Sequence, residues 1–111
     1  MAAAPPRKGD FIALTFDPQA GHEQRGRRPA LVVSNDLFNA HTGLCLVCPV
    51  TSTRRDYPFH VEIPPGVGVE GFVMVEQVKS LDFRARKARR IACASTTVMD
   101  EVLSLLDACI Y

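Results

Sequence analysis

Strand-like segments follow one another through most of this sequence with only one short helical turn between them. GDFIALTFDP, PALVVS and LCLVCPVTS are mostly apolar, and YPFHVEI alternates apolar with polar side chains. Glycine, proline and short polar stretches separate them, which is typical of turns between strands. Because successive parallel strands need a crossover, usually a full helix, this order predicts an antiparallel sheet.

The later segments continue the strand pattern and then change period. FVMVEQVKSLDF predicts a strand region, and RKARRIACA a strand with its basic residues outward. In STTVMDEVLSLLDACIY the apolar residues recur at spacings of three and four, as on one face of a helix: Val98, Val102, Leu105, Leu106 and Cys109. We expect Thr97 to cap this helix, and Ser34 or Asn35 to cap the helical turn that ends at Gly43. The predicted fold class is strand-rich α+β, a small antiparallel barrel or curved sheet with a C-terminal amphipathic helix.

A chain of 111 residues suits one domain, which we expect to span residues 1–111 with residues 1–8 as a flexible tail. No apolar run approaches the roughly 18 to 20 residues that span a bilayer, and MAAAPPRKGD lacks the apolar stretch of a signal peptide. We therefore expect a cytoplasmic protein without a membrane partner.

The four cysteines are expected to be free thiols, since a chain with 47% apolar residues can build a core without disulfides. Cys45 and Cys48 have the spacing of half a zinc site, but they lie in a predicted strand. Residues three apart on a strand face opposite sides, so buried small side chains are favoured over a metal site.

Positive charge is concentrated although the net charge is only +1. Ten of the thirteen Lys and Arg residues form three clusters: Arg25, Arg27 and Arg28; Arg54 and Arg55; Arg84, Arg86, Lys87, Arg89 and Arg90. Any one cluster could be an ordinary solvated loop. Together they predict a positive face that binds an anionic ligand such as a nucleic-acid backbone.

No motif for a cofactor, a metal or a nucleophile elbow is present, so we expect neither cofactor nor metal. Glu23, Arg28 and Thr51 instead suit metal-free cleavage of RNA, whose own 2'-hydroxyl can attack the phosphorus. Arg28, next to Pro29 where a long loop meets the sheet, would stabilise the transition-state charge. Glu23 would accept a proton and Thr51 would bind a phosphate oxygen. For Glu23 alone, a surface ion pair with a neighbouring arginine is the more common role, and Thr51 alone would be an ordinary strand residue.

The histidines carry less information. His22 shares the loop with Glu23 and is a reserve proton carrier. His60 alternates with core residues and is expected to face solvent. His41 lies near a helix end.

GHEQRGRRPALVVS, LVCPVTS, YPFHVEI and EQVKSLDFRAR, in this order, resemble the MazF/PemK family of toxin endoribonucleases. The resemblance implies a homodimer of an SH3-like barrel, related to PemK and CcdB. It also implies metal-independent, sequence-specific cleavage of single-stranded RNA that leaves 2',3'-cyclic phosphate and 5'-hydroxyl ends. Growth would stop until a cognate antitoxin with an acidic, flexible tail neutralised the toxin.

Carried over by position, the resemblance assigns catalysis to Arg28, Glu23 and Thr51. RNA binding falls on the polar residues and basic clusters that match the pattern: Gln24, Arg25, Arg27, Arg54, Arg55, Gln77, Lys79, Arg84 and Arg86. Glu76 belongs to the same polar stretch. The chain departs from the family by Arg27 before the key arginine and by two arginines in STRRDYPF, so the recognised bases are not carried over.

Two other functions remain open from the sequence. A toxin of the same fold could bind and poison DNA gyrase without cutting RNA. A non-catalytic RNA-binding barrel is weakened by the absence of Trp, which removes one common stacking platform.

Overall fold

A computed structural model describes residues 4–15 and 27–111, and these residues form seven strands and two α-helices. The strands are β1 (Asp10–Thr15), β2 (Arg27–Val32), β3 (Leu44–Thr51), β4 (His60–Glu62), β5 (Phe72–Met74), β6 (Lys79–Asp82) and β7 (Arg89–Cys93). Helix α1 (Asp36–Thr42) joins β2 to β3, a 3-10 turn (Val75–Gln77) follows β5, and α2 (Thr96–Ile110) ends the fold.

All strand pairs are antiparallel, in the order β4-β5-β3-β2-β1-β7, with β6 also on β3. The described strands therefore form an open curved sheet with β4 and β7 at its ends, and the expected strand-rich α+β class with a C-terminal helix is confirmed. Strand β3 is the centre of the sheet. One edge pairs with β2, while the other pairs with β6 at residues 44–47 and with β5 at residues 50 and 51.

The sheet separates two apolar clusters. One lies under α2 and includes Phe11, Leu31, Cys48, Val98 and Val102. The other lies on the opposite side and includes Ile12, Leu14, Val32, Cys45 and Val47. Cys45 and Cys48 thus lie on opposite sides of β3, as expected, and burial raises their thiol pKa values to about 11 and about 12.

Both helices begin at side-chain caps. Asn35 accepts a hydrogen bond from the Phe38 amide, and Gly43 ends α1 in the left-handed conformation. For α2 the cap is Ser95, whose hydroxyl accepts from the Val98 amide, so the prediction of Thr97 was wrong by two residues. None of the described helices is long and apolar enough to cross a bilayer.

The α2 face and the later strands depart from the expected pattern in two places. Val98 and Val102 are buried, whereas Cys109 is exposed and does not belong to the core. The expected strand region FVMVEQVKSLDF is divided, because the 3-10 turn at Val75–Gln77 interrupts it between β5 and β6.

Pro29 lies inside β2, a strand that has a neighbouring strand on both sides. It is the third residue and pairs with Ala13 of β1. The ladder from β2 to β3 begins one residue later, at Ala30, so the missing amide of Pro29 lies outside that ladder.

Residues 5–8 lie against the domain. The Asn39 side chain donates to the Pro6 carbonyl at 2.8 Å, and Asp36 accepts from the Lys8 amide at 2.9 Å and from Arg7 Nε at 3.1 Å. Residues 6–8 are therefore attached along α1.

Gly71 permits a close approach of two backbones at the end of β3. Its φ is +123°, and a Cβ placed there would overlap the Thr51 carbonyl group. Only a glycine satisfies both conditions, so this residue helps fix the position of Thr51.

Replacing Gly71 with alanine should lower the free energy of unfolding by about 3 kcal/mol, since backbone strain adds to steric overlap. Gly66→Ala is the matched control, because Gly66 also has positive φ (+87°) but no atom lies within 4 Å of its Cβ position. That change should cost about 1 kcal/mol. If the two variants lose the same free energy of unfolding in urea, the close approach at Gly71 adds nothing to the cost of the substitution.

Candidate active site

Arg28 lies at the open end of a strand whose other half is buried. It pairs with Leu14 of β1, which is fully buried, and residues Ala30 to Val32 of its own strand are also fully buried. The Arg28 side chain is exposed, and it makes no hydrogen bond or ion pair with any residue in 4–15 or 27–111. The backbone is held firmly while the guanidinium is left available, which suits a group that binds a phosphate.

Thr51 ends the neighbouring strand. The ladder between β2 and β3 ends at the pair Ala30 and Pro49, and Arg28 and Thr51 each lie two residues beyond that end. The Thr51 hydroxyl oxygen accepts from the Thr53 amide at 3.2 Å and keeps its own proton for donation. Two of the three predicted catalytic residues therefore share one end of the sheet.

The third predicted catalytic residue, Glu23, lies outside the described residues. The same holds for His22 and for the predicted RNA-binding residues Gln24 and Arg25. Their roles remain predictions.

Arg27 and Arg86 hold the backbone beside Arg28. The Arg27 guanidinium donates to the Ala13 carbonyl at 3.1 Å, to the Thr15 hydroxyl at 3.3 Å and to the Arg86 carbonyl at 3.4 Å. Arg86 donates to the Thr15 carbonyl at 3.2 Å. Both arginines thus join the end of β1 to the turn before β7, a structural role that their place in basic clusters did not reveal. Their predicted contact with RNA stays a prediction.

The loop after β3 brings a further cation to Thr51. Arg54 lies 5.0 Å from the centre of the Phe72 ring, and Phe72 pairs with Thr51. The Arg54 guanidinium is 3.3 Å from Glu62, so its charge is partly offset. Arg55, the next residue, is also exposed.

The remaining predicted RNA-binding residues are spread over the surface. Gln77 lies in the 3-10 turn and Lys79 begins β6, and both are exposed. Arg84, in the turn between β6 and β7, is also exposed, with its guanidinium 5.7 Å from the centre of the Phe83 ring. Among the described residues no group of three His, Cys, Asp or Glu side chains could hold a metal ion.

Comparison with known proteins decides the family. Residues 7–110 match the model described as "PemK-like, MazF-like toxin of type II toxin-antitoxin system". The chain belongs to this toxin family. The resemblance noted from the sequence is thereby confirmed.

Individual relatives agree along nearly the whole chain. The endoribonuclease toxin MazF of Escherichia coli K12 is 42% identical over 103 residues, covering 93% of this chain and 88% of that protein. The endoribonuclease toxin ChpB of the same strain is also 42% identical, over 91% of this chain and 90% of that protein. A crystal structure of MazF from Deinococcus radiodurans superposes with a TM-score of 0.87 at 45% identity, covering 97% and 98% of the two chains. A MazE-MazF crystal structure from the same organism superposes with a TM-score of 0.86 at 39% identity, covering 97% of each chain.

His60 of this MazF-like toxin is buried, so the expectation that it faces solvent was wrong. Its side chain is 4% exposed, and Nε2 lies 3.1 Å from a carboxylate oxygen of Glu76. The 3-10 turn carries Glu76 against the start of β4, and Tyr57 packs edge-on to the imidazole. The spacing of His60 and Glu76 in the sequence gave no sign of this pair.

The pair leaves two atoms without partners. His60 Nδ1 and Glu76 Oε1 are both buried, and neither has a hydrogen bond to any described residue. Each side chain therefore depends on the other for the hydrogen bond that offsets its burial. Since His60 follows the loop with Arg54 and Glu76 precedes Gln77, the pair connects two segments of predicted RNA-binding residues.

Removing either member should cost nearly as much stability as removing both. His60→Ala, Glu76→Ala and the double variant should show a coupling energy of about 1 to 3 kcal/mol in urea denaturation, because one lone buried polar group remains in each single variant. The exposed pair Arg54–Glu62 supplies the control cycle and should couple by about 0.5 kcal/mol. Additive losses at His60 and Glu76 would refute the pairing.

Proposed function

We propose that this toxin is a metal-independent, sequence-specific endoribonuclease of single-stranded RNA, messenger RNA in particular. The observation that carries the proposal is the exposed guanidinium of Arg28, which has no partner among residues 4–15 and 27–111 and stands on a buried strand at the same sheet end as Thr51. The related MazF and ChpB proteins are named endoribonucleases, which supports RNA as the substrate.

The reaction is an internal transfer of the phosphoryl group. The ribose 2'-oxygen forms a bond to phosphorus while the bond to the 5'-oxygen of the next nucleotide breaks. The 2'-hydroxyl loses one proton and the departing oxygen gains one, so the products are a 2',3'-cyclic phosphate and a 5'-hydroxyl. Glu23 is our proposed acceptor of the first proton.

Arg28 stabilises negative charge on the phosphate and does not abstract a proton. Its pKa is too high for it to serve as a base, but its planar fork of donors matches two phosphate oxygens. Negative charge on the non-bridging oxygens grows in the transition state, and a fixed cation there lowers the barrier. The Thr51 hydroxyl donates a hydrogen bond to an oxygen of the same phosphate.

The biological setting follows from the family. Cleavage of messenger RNA in the cytoplasm would stop translation and growth, and a cognate antitoxin with an acidic, flexible tail would neutralise the positive face. The MazE-MazF complex of Deinococcus radiodurans supports a protein partner of this kind.

Arg28→Ala should lower kcat for cleavage of an RNA substrate about 1,000-fold, as expected for loss of one preorganised transition-state contact. Arg28→Lys keeps the charge but loses the two-pronged geometry, so most of the loss should remain. Thermal unfolding should be unchanged in both variants, because the side chain has no partner within the described residues. Reactions in EDTA, followed by analysis of the cut ends, should give cyclic phosphates at the wild-type rate.

Retained turnover in Arg28→Ala would overturn this assignment. So would cleavage of a substrate with a 2'-deoxyribose at the cut site. If the wild-type protein leaves RNA intact and captures DNA gyrase, the gyrase-poisoning alternative replaces it.

We also propose that the toxin is a homodimer. Leu37, Phe38 and Leu44 are 70%, 37% and 36% exposed, and they lie on α1 and at the start of β3, which pack together. Exposed apolar side chains grouped in this way are typical of a surface that another chain covers. A second copy would bring two Arg28 side chains into one assembly.

Leu37→Glu should halve the mass measured by light scattering, because a charge in the apolar contact disfavours association. Ile110→Glu is the control, since Ile110 is 68% exposed at the other end of the chain. Its mass should stay that of the wild type. A Leu37→Glu protein with unchanged mass would place the contact elsewhere.

A further inference from the structure

A second basic surface lies outside the catalytic end of the sheet. A groove of about 1210 Å³ runs between the start of the chain, the beginning of β1 and strand β7. Six cations line it, which together define the basic groove: Arg7, Lys8, Arg84, Lys87, Arg89 and Arg90. Two carboxylates, Asp10 and Asp36, share the lining. Folding therefore joins the last basic cluster to Arg7 and Lys8, which lie about eighty residues earlier in the sequence.

Both carboxylates are already paired. Asp10 lies 2.9 Å from Arg90, and Asp36 lies 3.1 Å from Arg7. Hydrogen bonds from the Lys8 amide and then from Arg7 lower the pKa of Asp36, so it is ionised at neutral pH. Within the described part of the chain, four cations form no ion pair with a carboxylate: Lys8, Arg84, Lys87 and Arg89. The charge of Lys8 nevertheless contributes to the lowered pKa of Asp36. The groove therefore keeps a net positive charge that an anion can neutralise.

The chemistry of the lining favours a sugar-phosphate backbone over an acidic peptide. The large apolar side chains in the lining, Ile12 and Phe83, are only 1% and 5% exposed. Partner peptides usually insert apolar or aromatic side chains into pockets, and these two residues offer little surface for that. Several cations that form no ion pair match the sequence-independent part of nucleic-acid binding.

The groove also lies on the same side of the sheet as Arg28. Arg28 pairs with Leu14 and Arg90 pairs with Ile12, two residues away on the same face of β1. Paired residues on antiparallel strands share a face, so the two arginines lie on one side of the sheet. Two strand spacings and two residues of rise separate their Cα atoms by ~12 Å.

We propose that the basic groove binds the phosphates of RNA that flank the cleaved sequence. The inference rests on the proposed endoribonuclease function, and it adds a contact that makes long RNAs better substrates than short ones. Since the contacts are to phosphates, the length of the flanking RNA changes the efficiency of cleavage, whereas its base sequence does not.

The test compares two RNAs with the same cleavage sequence, one a short oligonucleotide and one with long flanks. The variant Lys8→Gln/Lys87→Asn/Arg89→Gln removes three unpaired charges, with Asn chosen because Lys87 has positive φ. The ratio of kcat/KM for the long RNA to that for the short RNA should fall about tenfold. Binding of a long RNA with 2'-deoxyribose at the cut site should lose about 2 units of salt slope, at about 0.7 per phosphate contact on single strands.

Lys8→Arg/Arg89→Lys is the matched control, because it keeps every charge, and both its ratio and its salt slope should equal those of the wild type. Equal effects of the triple variant on both RNAs, or no effect, would overturn the groove proposal while leaving cleavage itself intact. Failure of the wild type to cut even the short RNA would instead count against the proposed function. If a polyglutamate peptide binds with groove-dependent affinity and RNA length has no effect, an acidic peptide is the occupant and our proposal is wrong.

Discussion

The divided pairing of β3 is the constraint on which the rest of the structure depends. This strand pairs with β2 along one edge and with β6 and then β5 along the other, so it holds three neighbouring strands in place. Alternation along β3 places Cys45 and Val47 in one apolar cluster and Cys48 and Val50 in the other, and the strand ends at Thr51, just beyond the residues paired with β2. Gly71 completes the arrangement, because any larger residue would force the Thr51 backbone away. The geometry of the proposed active site is therefore a consequence of how one strand shares its hydrogen bonds.

Periodicity predicted most of the architecture because burial leaves a direct trace in sequence. The strands, the C-terminal helix and the opposite orientations of Cys45 and Cys48 all follow from alternation at two or at three to four residues. The 3-10 turn left no such trace. Val75 is buried like a strand residue, and the turn is stabilised by contacts from elsewhere, among them a hydrogen bond from the Val75 amide to the Phe59 carbonyl. His60 was misread for the same reason, since its burial depends on Glu76 folding over it.

The fate of the arginines shows why a charge pattern predicts a site only in part. Arg27 and Arg28 are adjacent and identical, yet one binds backbone carbonyls and the other is exposed without a partner in the described chain. Neighbouring residues on a strand point to opposite faces, and only the fold decides which face carries acceptors. The sequence singled out Arg28 through its place beside Pro29 and through the resemblance to a family, but not through its charge. Similarly, no pattern linked Arg7 and Lys8 to the last basic cluster.

Arg28 has no partner among residues 4–15 and 27–111, and three carboxylates of this part of the chain are held by other side chains. Asp10 binds Arg90, Glu62 binds Arg54 and Glu76 binds His60. An arginine held by a carboxylate would have to give up that partner before it met a phosphate, and the lost interaction would weaken binding of the transition state. Fixing the acids on other cations avoids this cost and keeps the guanidinium in place before RNA arrives. The same division of charges leaves the basic groove positive, so one distribution of ion pairs would serve both catalysis and capture of the strand.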